Sequence, residues 1–187
     1  MINFYISYFY QIRNMKPNML PVSTAMWDPK WFHYGRYDQI KFTDPCGSLI
    51  SYDVKRKYID KNGVINGVRM IDLIMPLYKW EELVKRNESC EHCKINNGAA
   101  GDLFSGMCPF MQEYANCIRE KNPDFQKFIT FCDGYLQFLN QHLNLCLDTI
   151  IFIVHEAPSK GCGERPELQR WFAENGIELK EWSKDDK

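Results

Sequence analysis

Thr149-Ile150-Ile151-Phe152-Ile153-Val154 is an unbroken apolar, largely β-branched run, the pattern of a strand buried on both faces of a sheet. A strand of that kind is central. His155-Glu156-Ala157-Pro158-Ser159-Lys160-Gly161-Cys162-Gly163-Glu164-Arg165 follows as a loop with two glycines and a proline, and Pro166 stands where a first helical position accepts it. Leu168, Trp171 and Phe172 then repeat at helical spacing, and Gly176 supplies a left-handed stop. Ile177-Glu178-Leu179-Lys180-Glu181-Trp182 alternates like an edge strand. Strand, turn, helix and strand, with polar residues gathered in the turn, mark this end of the chain as the place for a site.

Working outward, Ile2 to Tyr8 reads as a first strand and Met19 to Ala25 as a second, with a short helix over Tyr10 to Asn14 between them. Pro21 lacks an amide hydrogen, which argues against full pairing at its own position. If both strands run parallel to the Thr149 strand, Ser7, Tyr8, Ser23, Thr24, His155 and Glu156 share the carboxyl ends, where open α/β sheets place ligands. The aromatic loop Trp27-Asp28-Pro29-Lys30-Trp31-Phe32-His33 would either wall such a pocket or pin itself to the core. Tyr34 to Ser51 is irregular, with a turn at Asp44-Pro45-Cys46-Gly47, and Val68 to Arg86 looks helical with a break at Pro76. Two helices are expected later, Pro109 to Lys121 and Pro123 to about Leu145, each opened by its proline. The second carries Phe125, Phe128, Cys132, Leu136, Leu139 and Leu143 on one stripe.

A chain of 187 residues, 45% hydrophobic and 14% aromatic, supports one sizeable core, so a single α/β domain over 1-187 is expected. Its sheet is largely parallel, and a helical, cysteine-containing insert spans about 60-121. A formal net charge of -1 gives no global attraction to nucleic acid or to an anionic membrane, although Lys55-Arg56-Lys57 could form a local patch. Met1 to Tyr10 lacks a basic leader region and a small-residue cleavage site, and no apolar run has membrane-spanning length. A cytoplasmic setting is therefore expected, with eight cysteines reduced, metal-bound or buried rather than paired.

Cys117, Cys132 and Cys146 fall on apolar stripes of helices or at their ends and read as small core hydrophobes. Cys90-Glu91-His92-Cys93 differs. Two thiols spaced by two residues can reach one tetrahedral ion, Cys108 supplies a third ligand, and Cys46 is the first choice for a fourth among Cys46, His92, Cys117, His33 and Asp102. A long glycine-containing loop over 87-108 loses much backbone entropy on ordering, and structural zinc would supply the free energy. An iron-sulfur cluster on three cysteines is the weaker alternative.

Cys162 lies just before a helix N-terminus, where amide groups and the helix dipole favour negative charge. Two chemistries follow. Either that field and Arg165 lower the thiol pKa, making Cys162 a nucleophile with His155 or Glu156 as proton carrier. Or Arg165 and the turn hold an anionic ligand, Glu164 bonds a ligand hydroxyl or amine, and Cys162 only packs. A third account has Glu164 and Arg165 pairing with neighbours to fix the turn.

Ile6-Ser7-Tyr8-Phe9 with Arg13-Asn14-Met15, Pro21-Val22-Ser23 with Pro29-Lys30-Trp31-Phe32, and Glu156-Ala157-Pro158 with Cys162-Gly163-Glu164-Arg165 and Trp171-Phe172 resemble domain-of-unknown-function family 488, in a branch common in phage and bacterial genomes. The resemblance covers about the first 35 and the last 40 residues. The commoner form of that family has a Cys-His-Arg turn, whereas Gly163 and Glu164 stand here where one histidine would be. It implies a Rossmann-like α/β sandwich and a site at the Cys162 turn. The expected function is binding, with processing as its weaker half, of a small anionic or nucleotide-like ligand. Ser7, Tyr8, Ser23, Trp31, His33, Glu164 and Arg165 would contact it, and Cys162, Glu156 and His155 would do the chemistry. The competing class is a zinc-stabilised module binding nucleic acid or protein without catalysis.

Overall fold

The computed structural model describes residues 2–24, 29, 40–43, 49–52, 68–69, 109–143, 145–155, 157–158 and 163–184. Among them the predicted central strand is β6 (Thr149–Val154), and all six of its residues are buried. It lies between β1 (Asn3–Tyr8) and β2 (Met19–Ser23) and pairs with both in parallel. The sheet has the order β5-β2-β6-β1-β7, where β5 is Val68–Arg69 and β7 is Lys180–Glu181, again parallel to their neighbours. Ile40–Thr43 (β3) and Leu49–Tyr52 (β4) form a separate antiparallel pair. The chain is thus α/β around a parallel sheet.

Register is set at the amino ends of the three middle strands. The Asp148 amide donates to the Asn18 carbonyl and the Asn3 amide to the Asp148 carbonyl, both at 3.1 Å. The Asp148 Oδ1 accepts from Asn18 Nδ2 at 2.8 Å and from Thr149 Oγ1 at 2.6 Å. These bonds align Asn3, Thr149 and Met19 at one level. A slip of one residue would turn every apolar side chain to the wrong face. Upstream, Asn140 acts as a backbone substitute: its amide donates to the Leu147 carbonyl at 2.9 Å and accepts from the Leu147 amide at 2.7 Å.

Pro21 is accommodated for a geometric reason. The Thr24 amide donates to the Ile153 carbonyl, and amides alternate sides along a strand, so Val22 and Leu20 also face β6 while Pro21 faces β5. β5 pairs only Val22 and Ser23, leaving the ladder clear of the missing hydrogen.

Alternation separates two cores. On one face Phe4, Ile6, Leu20, Val22, Ile150, Phe152 and Val154 meet three helices, α1 (Pro109–Lys121), α2 (Phe125–Leu143) and α3 (Arg165–Glu174). Rings of Phe125, Phe128, Trp171 and Phe172 interlock there, with Phe128 and Trp171 centred 4.9 Å apart. On the other face Met19, Ile151, Ile153 and Trp182 are packed by Phe9 and Ile12 of a 3-10 helix, Phe9–Asn14, and by Met15 just beyond it. An Arg119–Glu174 fork, 2.7 Å at its shortest, ties α1 to α3.

Several expectations shift at their edges. α2 begins at Phe125 rather than Pro123, because the Asp124 carboxylate accepts from the Lys127 amide at 3.2 Å and so caps the helix. Val68 and Arg69 pair with β2 instead of opening a helix, since a β-branched valine beside Val22 extends the sheet. Cys117 and Cys132 are buried as expected, but Cys146 is exposed, because it lies past the end of α2 in the extended link to β6. Gly176 has φ of +79° and closes α3 as foreseen, with its amide bonded to Ala173 O and that of Ile177 to Phe172 O. The remaining expected elements over 25–108, including the rest of the Val68 to Arg86 helix and the cysteine loop 87-108 of the insert, lie outside the described residues; of the insert expected over about 60-121, Val68–Arg69 and Pro109–Lys121 are described.

Candidate functional site

The site follows from how the chain leaves two adjacent strands. β1 continues through the 3-10 helix on one face to reach β2, while β6 continues through α3 on the other face to reach β7. Neighbouring strands whose exits part to opposite faces leave a crevice between their carboxyl ends. Tyr8 and Val154 face each other at its rim, and Ser7, Ile153 and Ser23 lie at one level just below.

Polar side chains are buried around this end. Ser7, Ser23 and Thr24 are fully buried, and Glu164, Arg165 and Glu167 are exposed by no more than 6%. Pro166 at the start of α3 explains the local fold, because its fixed φ and absent amide hydrogen suit a first helical turn. That turn carries Glu164, Arg165 and Glu167 into the protein. The Ser7 hydroxyl donates to the Trp182 carbonyl at 3.0 Å, and the Thr24 hydroxyl donates to the Ile153 carbonyl at 3.2 Å. Arg165 Nε lies 2.9 Å from Glu181 Oε2, joining the turn to the edge strand. Arg170 reaches Glu167 at 2.7 Å from the surface.

Tyr114, on α1, is fully buried and feels Glu164, Glu167 and Thr24 of this group. Burial, and then the Glu164 carboxylate, push its phenol well above the ordinary tyrosine range; Glu167 adds to the rise, and the neighbouring Thr24 opposes it. A neutral phenol thus stands between a strand end and two carboxylates.

Of the residues singled out in the sequence, Ser7, Tyr8, Ser23, Glu164 and Arg165 gather at the carboxyl end. His155 is there too, exposed, with its ring edge-on to Phe9 at 6.2 Å. Cys162, Glu156, Trp31 and His33 lie outside the described residues, as do Cys46, Cys90, Cys93 and Cys108. Among the described residues no group of three or more His, Cys, Asp or Glu side chains could hold a metal ion. Tyr114, Glu167 and Glu181 were not foreseen. Glu181 had a signal: the alternation of Ile177 to Trp182 puts it on the face of Leu179, toward the helices.

Away from this end, a groove of about 590 Å³ opens at the amino end of β1, lined by Asn3, Tyr5, Gln126, Asp133, Glu178 and Lys180 among others. No helix among the described residues is long and apolar enough to cross a membrane. Comparison with protein-family models, with curated proteins and with solved structures returns no match.

Proposed function

We propose that the protein binds a small anionic or nucleotide-like ligand in the crevice between the carboxyl ends of β1 and β6. The observation that carries this reading is the parting of the two exits to opposite faces, with buried charges at the first turn of α3. Such charges are costly unless held by partners, and they sit where parallel sheets receive ligands. The Glu164 carboxylate would take a hydroxyl or amine of the ligand, and the start of α3 its anionic group. Arg165, already 2.9 Å from Glu181, would act on the anion partly through its long-range charge. Processing of the ligand would fall to Cys162, Glu156 and His155. The fold would be Rossmann-like, as the resemblance to family 488 implies.

Thermal denaturation with nucleoside monophosphates and with inorganic phosphate tests the reading. A saturable rise in Tm with the nucleotides, lost in Glu164→Gln, is the expected result. No rise with any of them removes the reading. The second reading, a zinc-stabilised interaction module, rests on the Cys90-Glu91-His92-Cys93 spacing. Native mass spectrometry would register it as one retained zinc ion per chain.

A further inference from the structure

The first exposed surface beyond the crevice is the outer side of the 3-10 helix Phe9–Asn14. In a 3-10 helix side chains three apart lie over one another. Phe9 and Ile12 are the buried row. Tyr10 and Arg13 form a second row on the surface, where the Arg13 guanidinium carbon lies 3.7 Å from the Tyr10 ring centre. Tyr10 is 60% exposed, the only large hydrophobic side chain so placed among the described residues. The Tyr8 ring is nearly parallel to it, tilted by 10° with centroids 6.5 Å apart. Gln11 and Asn14 form a third row, joined by a 2.9 Å bond, and Gln11 also donates to the Tyr8 hydroxyl at 3.2 Å. Lys16 follows, exposed. No acidic residue occurs from Phe9 to Lys16, and among the described residues neither Arg13 nor Lys16 has a carboxylate in ion-pair range.

We propose that this strip, Tyr8, Tyr10, Gln11, Arg13, Asn14 and Lys16, is a docking surface for single-stranded nucleic acid. The charge is complementary: two exposed cations with no carboxylate in ion-pair range among the described residues meet a polyanion. The shape is complementary as well. A guanidinium centred over a ring at 3.7 Å is itself a planar group on which a base stacks, while its N–H edge and Lys16 meet phosphates. The amides of Gln11 and Asn14 supply donors and acceptors for a base edge. Duplex DNA offers phosphates but hides its base faces, so the strip selects the single strand.

The test is fluorescence anisotropy with a labelled oligothymidylate, repeated over a salt series, on the full chain and on Tyr10→Ala and Arg13→Ala. Binding at low salt is expected, falling as salt rises. Tyr10→Ala weakens it by about five- to tenfold with the salt slope retained, and Arg13→Ala lowers the slope of log K against log salt by about 0.7. A duplex of the same length binds more weakly. Absence of binding at low salt, equal affinity for duplex, or variants indistinguishable from the parent each overturn the proposal. Both positions are exposed, so Tm should hold. If Arg13 serves only the carbonyl end of its helix, its replacement lowers Tm and leaves affinity unchanged, which also overturns it. Loss of mononucleotide binding in Glu164→Gln leaves this strip untouched, so the two sites fail separately.

Discussion

The two ends of the parallel sheet hold similar numbers of polar groups in opposite settings. At the amino end, Asn3, Gln126, Thr130, Glu178 and Lys180 line an open groove and are exposed, with only Asp133 half-buried. Water satisfies such groups, and they cost the fold little. At the carboxyl end, Ser7, Thr24, Tyr114, Glu164, Arg165 and Glu167 are buried, and each must be answered by protein. Position alone therefore does not distinguish the ends; the free energy committed to holding polar atoms out of water does. A fold that needed only a closed core would fill that end with leucine.

The sharpest way to break this contrast is Arg165→Met, which keeps the volume and leaves Glu181 without its cation. Because both carboxylate oxygens of Glu181 are shielded from solvent although its stem is part-exposed, a loss of about 3–5 kcal/mol is expected, as for a buried pair that loses one partner. Urea denaturation measures it. A loss below half that size would mean the carboxyl end is as solvated as the groove.

Tyr114→Phe is next. Near neutral pH it removes a buried hydroxyl beside Thr24, for a loss of no more than about 1 kcal/mol. In strong base the sign works against the parent. Its buried phenol keeps its proton while the unfolded chain releases one above the ordinary value of 10.0. Stability held below that pH is then lost as pH climbs toward the folded value, by up to about 1.4 kcal/mol per pH unit per tyrosine. Tyr135, raised by burial alone, acts in the same direction in both proteins. Denaturation curves of parent and variant should therefore converge above pH 10. Curves that fall in parallel would show that Tyr114 is not held neutral by the fold. The smallest effect belongs to the groove: Asp133→Asn and Glu178→Gln should each change stability by less than about 0.5 kcal/mol.

The sequence discloses the strands that are long and uniformly apolar. Thr149 to Val154 is legible because all six residues are buried, so no polar face interrupts the run. Gly176 and Pro166 are legible because backbone chemistry restricts what can stand there. β5 escapes because two residues carry no period, and β3 and β4, four residues each, carry hardly more. The site is half visible. Ser7, Ser23, Glu164 and Arg165 come from reading strand ends and the turn, whereas Glu167 and Tyr114 do not. A glutamate in a first helical turn normally faces water, and a tyrosine on an apolar stripe looks like any other core residue. Their convergence depends on α1 and α3 packing on one face, which one-dimensional periodicity does not encode.

The placement of β6 between β1 and β2 has a further consequence during synthesis. Thr24 finds the Ile153 carbonyl across 129 positions of chain, and β1 and β2 never pair with each other. As the polypeptide leaves the ribosome, its first two strands emerge with their partner still untranslated. Until β6 is made, β1 has neither of its neighbours and β2 has only the two-residue β5, so edges stand open in the period in which they invite wrong partners. Pro21 blunts one of those edges from the start. The sheet can close only once β6 and β7 have been made.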